Sequence, residues 1–217
     1  MAVAERAYIF GAGGHARVIA SFLSAEPVFV VRDATEPGQL AEAAFYRDVA
    51  IEEAHVYIGI GDNAVRTRIY TELAARGIVP AICVAPNAFV ARDAWLAPGA
   101  VICSGAIIGS SARIGRNTIV NTLSSLDHDC VLGDHSQVAV GVSICGGVTI
   151  GKNCFFGVKS AVFPNVAIGD NAVIRAGSLV VKDVPGDVTV GGQPARIVRA
   201  TRSRSSPARA DENSANV

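Results

Sequence analysis

Every sixth residue between positions 84 and 180 is apolar. The series runs Val84, Val90, Leu96, Ile102, Ile108, Ile114, Val120, Leu126, Leu132, Val138, Ile144, Ile150, Phe156, Val162, Ile168, Ile174, Val180. Four residues after each stands a small side chain, from Ala88 and Ala94 through Ser136 and Cys154 to Ser178 and Val184. Neither a helical period of about 3.6 nor plain strand alternation keeps that spacing over such a length, which leaves a solenoid of short parallel strands. One hexad builds a flat face and a corner, and three hexads close a triangular coil. Residues eighteen apart then become stacked neighbours at roughly 4.8 Å. The large aliphatic at the first position fills the interior, and the small residue at the fifth fits beside it. The fourth position is mostly Asn, Asp or Gly (Asn87, Gly105, Asn117, Asp129, Gly147, Asn165), as corners with positive φ require.

Composition agrees with such a core. Of 217 residues, 50% are hydrophobic but only 6% aromatic, so the interior is built from Val, Ile and Ala rather than rings, in one or two domains. A formal net charge of zero argues against a basic nucleic-acid surface. The five cysteines (Cys83, Cys103, Cys130, Cys145, Cys154) include no CxxC pair, and Cys130 and Cys154 fall in the small-residue register. They read as packing residues in a reducing compartment. With no signal-like leader and no apolar run of membrane-spanning length, the expectation is a soluble, cytoplasmic protein.

Ahead of the repeats, residues 7–10 (AYIF) read as a buried strand, followed by Gly11-Ala12-Gly13-Gly14-His15-Ala16 and an amphipathic helix reaching residue 23. A second strand over 28–31 ends close to Asp33. This outlines a βαβ nucleotide-binding unit, with phosphate received by backbone N–H groups at a helix N-terminus and a ribose hydroxyl by the acid. The same glycines would serve equally as a tight strand-to-helix turn. Residues 37–54 suggest mixed loop and helix; 56–60 a third strand; Gly61-Asp62-Asn63 a turn and cap for a helix over 64–76; and 79–83 a short strand into the solenoid. The roughly 83 residues before the repeats are too few for a two-halved dinucleotide fold, so a nucleotide is favoured over NAD. The domain division expected is 1–83, 84–184, a cap over 185–200, and a tail over 201–217 without apolar periodicity, expected to be disordered.

The chemistry is expected at Leu126-Asp127-His128-Asp129-Cys130. His128 occupies the third hexad position, which faces outward. An outward histidine can be merely solvated, but here Asp127 and Asp129 flank it and can fix its tautomer and stabilise the imidazolium. Gly146, eighteen residues on, is its stacked neighbour; its N–H is left open to an incoming ligand and could bond an oxygen on which negative charge develops. His135, at a fourth-position corner, reads as an exposed turn residue.

The hexad pattern together with IFGAGGHARV, IGDNAVR and NTLSSLDHDC resembles the hexapeptide-repeat sugar acyltransferases over residues 7 to about 198. That family includes bacillosamine-type UDP-4-amino-sugar N-acetyltransferases, GDP-perosamine N-acetyltransferases and sialic acid O-acetyltransferases. The resemblance implies an α/β N-terminal nucleotide-binding βαβ domain followed by a left-handed parallel β-helix. It also implies direct acetyl transfer from acetyl-CoA to the amine of a nucleotide-linked 4-amino sugar, with hydroxyl acetylation of a sialic-acid-like sugar as the alternative. His128 would be the general base, Asp129 its orienter and Gly146 the oxyanion donor. Acetyl-CoA would lie along the prism by Asn121, Gln137, Gly146, Gly147, Ala176 and Gly177 and by Pro194, Ala195 and Arg196 of a G-x-PA-[KR]-like segment. The nucleotide sugar would fall to Gly11, Gly13, Gly14, His15, Asp33, Asn63 and Arg66. No metal is implied: a zinc carbonic anhydrase on this scaffold would need three histidines, and the repeats hold only His128 and His135. A nicotinamide oxidoreductase lacks room in the N-terminal unit; a non-catalytic nucleotide-sugar binder stays open.

The resemblance further implies a homotrimer with sites between adjacent prisms. Apolar sixth-position residues Val101, Ile107, Ile119, Val131 and Val173 would offer the faces to be covered. Some family features are missing. Gln137 replaces a second histidine and cannot exchange a proton near neutral pH. Ala85 stands where a histidine precedes the first repeat's proline, and Val31-Arg32-Asp33 lacks the paired acids of some UDP-sugar enzymes.

Overall fold

The computed structural model describes residues 6–50 and 54–200; the tail from residue 201, expected to be disordered, lies outside them. The N-terminal domain is a wholly parallel sheet of order β3-β2-β1-β4, built from β1 (Arg6–Phe10), β2 (Val28–Val31), β3 (Gln39–Ala41) and β4 (Ala54–Ile58). Its helices are α1 (Gly14–Ala20), α2 (Glu42–Asp48) and α3 (Asn63–Ala75). Phe45 of α2 anchors one side, edge-on to Tyr8 at 5.3 Å and to Phe10 at 5.0 Å. Asp62 caps α3 by accepting from the amides of Ala64 (2.9 Å) and Val65 (3.0 Å), as the turn signal indicated.

Local details differ from the sequence reading. The uninformative stretch after residue 37 holds the edge strand β3, three residues long and too short to show a period of two. Strand β4 begins and ends two residues earlier than expected, and α1 stops at Ala20 rather than residue 23. Of residues 79–83, only Cys83 is in a strand.

From Cys83 the chain winds into a triangular left-handed parallel β-helix. Each strand is only two residues long, the sixth position of one hexad and the first of the next. The first face stacks Cys83–Val84, Val101–Ile102, Ile119–Val120, Gln137–Val138, Phe155–Phe156 and Val173–Ile174. The second runs from Phe89–Val90 through Ser125–Leu126 and Ser143–Ile144 to Leu179–Val180; the third runs from Trp95–Leu96 through Val131–Leu132 to Ala167–Ile168. Partners lie eighteen residues apart, as the triangular coil requires. First-position side chains from Ile102 to Val180 are no more than 3% exposed, and fifth-position ones from Ala100 to Val184 are all buried. Val84 departs from this reading at 39% exposed, because no coil lies beneath it to complete its packing. Every fourth-position residue from Gly99 to Gly177 has a positive φ, even Leu123 and Lys159.

The region expected as a cap over 185–200 continues the first face. Val188–Gly192 pairs in parallel with Val173–Ile174 and antiparallel with Ala195–Ala200. At the other end of that face the N-terminal domain docks: Ile9, Ala16 and Ile19 pack with Cys83, Val101, Cys103 and Ile119. Val101 (2% exposed) and Ile119 (0%) are therefore covered within the chain and are not open to a second subunit, whereas Ile107 stays 48% exposed. Cys130 and Cys154 are buried as packing residues. No described helix is long and apolar enough to cross a membrane.

Candidate active site

His128 stands at the corner between the second and third faces. Its backbone amide donates to the Asp127 carboxylate at 2.7 Å, which braces the turn, while its ring Nδ1 lies 2.9 Å from Asp129 Oδ2. The left-handed corner conformation of Asp129 (φ 59°) accompanies this contact between neighbours in sequence. The side chain is 62% exposed. The hydrogen bond donated to Asp129, followed by the charge of Asp127, raises the imidazole pKa above its ordinary value. With Nδ1–H donated to the carboxylate, the neutral ring presents a lone pair at Nε2.

Gly146 lies directly beside this ring. A β-carbon there would come within 2.5 Å of His128 Cε1 and Nε2, so the imidazole occupies the space a side chain would need. The amide of Gly147 donates to the His128 carbonyl at 2.9 Å and fixes the two corners to one another. At two other third positions the amide is taken by a side chain one coil on, Arg116 N by Asp134 (2.8 Å) and Lys152 N by Asp170 (2.8 Å). Among the described residues, nothing accepts from the Gly146 amide.

The remaining cofactor candidates do not gather at this corner. Asn121 lies at the opposite edge of the second face, its Oδ1 turned to the Thr122 amide at 2.8 Å. Ala176 and Gly177 occupy that same far edge, higher in the prism. They stand beside the segment holding Pro194, Ala195 and Arg196, for Gln193 Nε2 donates to the Gly177 carbonyl at 2.6 Å. Within one chain, His128, Gly146 and Gly147 are thus separated from Asn121, Ala176, Gly177 and residues 194–196 by the width of a face. Gln137 is on the first face, stacked between Ile119 and Phe155, with Oε1 buried and unpartnered.

The glycine turn forms as read. Gly11 has φ 104°, and a β-carbon there would press on Gly59 O and Ile60 Cγ1 at 3.1 Å; around Gly13 and Gly14 the space is open. Exposed Asp33 follows β2, so these residues share the carboxyl edge of the parallel sheet. His15 has its Nε2 buried without a partner, and burial, aided by the charge of Arg66, pushes its pKa down to about 4. It is a neutral imidazole at the turn.

Two of the expected nucleotide-sugar ligands are engaged elsewhere. Arg66 is 1% exposed and all its N–H groups are spent on the chain itself: Nε on Asn117 O, Nη1 on Ile60 O and Gly61 O, Nη2 on Asn63 Oδ1 and His135 O. Asn63 accepts one of these and reaches Cys154 O at 3.3 Å. His135, expected to be an exposed turn residue, is instead half-buried under α3. Asn117 Nδ2 lies 2.8 Å from its Nδ1, Tyr70 stands edge-on at 5.5 Å, and burial lowers its pKa. Hexad position alone could not reveal which corner the N-terminal domain covers. One available signal was Arg66 itself, a cation in the buried stripe formed with Ile69 and Leu73. His128 and His135 sit on different corners and do not converge, so they form no shared metal pair.

Residues 6–73 match the PglD N-terminal domain model, and residues 147–182 match the hexapeptide repeat of succinyl-transferase. PerB, the perosamine N-acetyltransferase of Caulobacter crescentus, solved with CoA and GDP-perosamine, is 30% identical; the match covers 88% of this chain and 96% of that one, with a TM-score of 0.81. The acetyltransferase domain of PglB from Neisseria gonorrhoeae, solved with acetyl coenzyme A, is 25% identical over 89% of this chain and 99% of its own, with a TM-score of 0.83. Among curated relatives, UDP-3-O-acylglucosamine N-acyltransferase of Wolinella succinogenes is 39% identical over 79 residues, which is 36% of this chain and 25% of that protein. The chain spans about a quarter of the length of the curated relatives it matches. A 30% identical relative matched across both domains shows the family, and the chain belongs to the hexapeptide-repeat sugar acyltransferases with a PglD-type N-terminal domain.

Proposed function

We propose that the protein transfers an acetyl group from acetyl-CoA to the amine of a nucleotide-linked 4-amino sugar. The observation that carries this reading is the His128–Asp129 pair resting on Gly146, whose N–H has no acceptor among the described residues. His128 Nε2 takes a proton from the amine as its nitrogen attacks the thioester carbonyl. Asp129 holds Nδ1–H and stabilises the imidazolium, and the Gly146 amide donates to the developing oxyanion. Coenzyme A leaves as the carbonyl re-forms. No acyl-enzyme is required, because the deprotonated amine is nucleophilic enough to attack directly. The perosamine enzyme, solved with CoA and an amino-sugar nucleotide, supports the substrate class.

The reading extends to a homotrimer. A prism that carries the base on one edge of its second face and the cofactor candidates on the other is completed by a neighbour presenting the opposite edge. Exposed Phe89, Ile107 and Trp95 supply apolar surface for that contact. The free cysteines suit a cytoplasmic location.

The test is a thiol-release assay with acetyl-CoA against UDP-, GDP- and dTDP-linked 4-amino sugars, with free sialic acid as hydroxyl control. Release with at least one amino sugar is expected; release with sialic acid alone overturns the amine assignment. Light scattering that finds a monomer at micromolar concentration removes the shared site.

A further inference from the structure

We propose that Arg66 is a positioning residue for acetyl transfer: it fixes the loop beside the nucleotide turn against the prism, and so sets where the sugar amine arrives. The proposal rests on the nucleotide-sugar reading above.

The guanidinium has five N–H donors in one rigid plane, and each is bonded. Two acceptors, Asn117 O at 3.1 Å and His135 O at 3.1 Å, are carbonyls of successive coils. Two more, Ile60 O at 3.3 Å and Gly61 O at 3.1 Å, belong to the loop after β4. The fifth is Asn63 Oδ1 at 2.8 Å, and Asn63 itself reaches Cys154 O one coil further on. The clamp therefore touches three successive coils.

The loop it grips borders the glycine turn on both sides. Gly11 comes so near that a β-carbon would meet Gly59 O and Ile60 Cγ1 at 3.1 Å, and one at Gly59 would meet Ala16 at 2.6 Å. Moving residues 59–62 must move the Gly11–Ala16 turn with them. Simple adhesion between domains is available more cheaply, and Ile9, Ala16 and Ile19 already supply it against the first face. Among the described residues the five N–H groups are bonded to carbonyl and amide oxygens, with the charge of Asp62 nearby, and burying the cation costs desolvation that an apolar side chain would avoid. What the planar fork adds is a single fixed orientation of loop against prism.

Steady-state kinetics of Arg66→Met and Arg66→Lys test this. Displacing a substrate by a fraction of an ångström to an ångström can cost about 10²-fold. Arg66→Met is expected to raise KM for the nucleotide sugar and lower kcat by on the order of tenfold or more each, with KM for acetyl-CoA unchanged. Arg66→Lys keeps the charge but loses the fork, and should fall on the side of the methionine variant. A role confined to stability would lower the active fraction and leave both KM values alone; that outcome overturns the proposal, as does full recovery with lysine or an equal rise in both KM values. If Arg66→Met does not fold, Asn63→Ala, which removes one acceptor, should give the same split at smaller amplitude, and an unchanged sugar KM there counts against it. Hydrogen exchange requires no substrate. Residues 59–66 should lose protection in Arg66→Lys while 140–180 keep theirs, and unchanged protection overturns the clamp. If the wild type releases no thiol with any amino-sugar nucleotide, the functional reading falls, while the exchange result still decides whether Arg66 holds the loop.

Discussion

His128 and His135 occupy consecutive corners of one coil, and their surroundings push them in opposite directions. The first corner is left bare: His128 is open to solvent, bonded through Nδ1 to Asp129, and its pKa is raised. The second is roofed by α3: His135 lies against Tyr70 and Asn117, close to Arg66, and its pKa is lowered by burial. Both residues stand at corners of the repeat, His128 at the third position and His135 at the left-handed fourth. What also differs is whether another part of the chain covers the corner. A β-helix therefore offers many equivalent corners, and the appended domain decides by exclusion which remain available for chemistry.

The strongest challenge to that contrast is to remove each histidine in turn. His128→Ala is expected to lower kcat by roughly 10²- to 10⁴-fold, the worth of a positioned general base. Its unfolding should barely shift, as for most exposed positions. Thiol release and thermal melts measure the two sides. A kcat within a few-fold of wild type would remove His128 from the chemistry.

Gly146→Ala should come next. Its β-carbon would overlap the imidazole, and because the ring is free on its solvent side, the ring swings off while the coil stays folded. Losing both the base's position and the approach to one oxyanion donor should lower kcat by roughly 10²- to 10³-fold. If Gly146→Ala retains full activity, the ring does not work from the place it occupies beside Gly146.

The prism was legible in the sequence because its period is visible in the letters. Ile102 to Val180 are inside, fourth positions from Gly99 to Gly177 turn with positive φ, and His128 meets Gly146, all from a six-residue register. The N-terminal sheet and its glycine turn were legible too, since β1, β2 and Asp62 carry strong local signals. The junction was not. That Val101 and Ile119 are covered by Ile9, Ala16 and Ile19, or that Arg66 turns inward to Asn117 and His135, depends on how two modules meet. Neither module's periodicity contains that information. Asn121 was legible as a residue type, but its separation from His128 by a whole face follows only from counting corners around the coil.

Asp129→Asn sharpens the contrast from the exposed side. Asparagine accepts a positive φ as readily as aspartate, so the corner should persist. The carboxylate is exposed, and its charge is screened, so a loss on the order of tenfold in kcat is expected, well short of losing the base. The acidic limb of the kcat profile reports the neutral fraction of His128. Since Asp129 raises that pKa, its removal should move the limb to lower pH. A limb that stays in place would mean another group titrates there.

The smallest effect belongs to the covered corner, and it concerns stability rather than rate. His135→Ala removes the edge contact with Tyr70 and the acceptor facing Asn117 Nδ2, and puts alanine at φ 63°, where it is strained. About 1–3 kcal/mol should be lost, with kcat changed far less than in His128→Ala. The pH dependence distinguishes this from generic damage. His135 and His15 both have folded pKa values below the ordinary 6.5, His15 near 4, so between those limits the unfolded chain binds more protons than the folded one. Stability is full above about pH 6.5 and falls as the solution is acidified through that value, by up to about 3 kcal/mol for His15 alone once pH nears 4. Protonated His135 could no longer accept from Asn117 and would place a second cation beside Arg66, with Arg116 and Lys152 also nearby and only Asp134 opposing. His128 has the opposite sign, since its raised pKa favours the folded state on the acid side. Urea melts of the His135→Ala protein should therefore start lower at pH 8 and slope less between pH 6.5 and 5 than those of the wild type. Equal slopes would mean that the roof over His135 opens freely to water, and the two corners would then differ in exposure without differing in proton affinity.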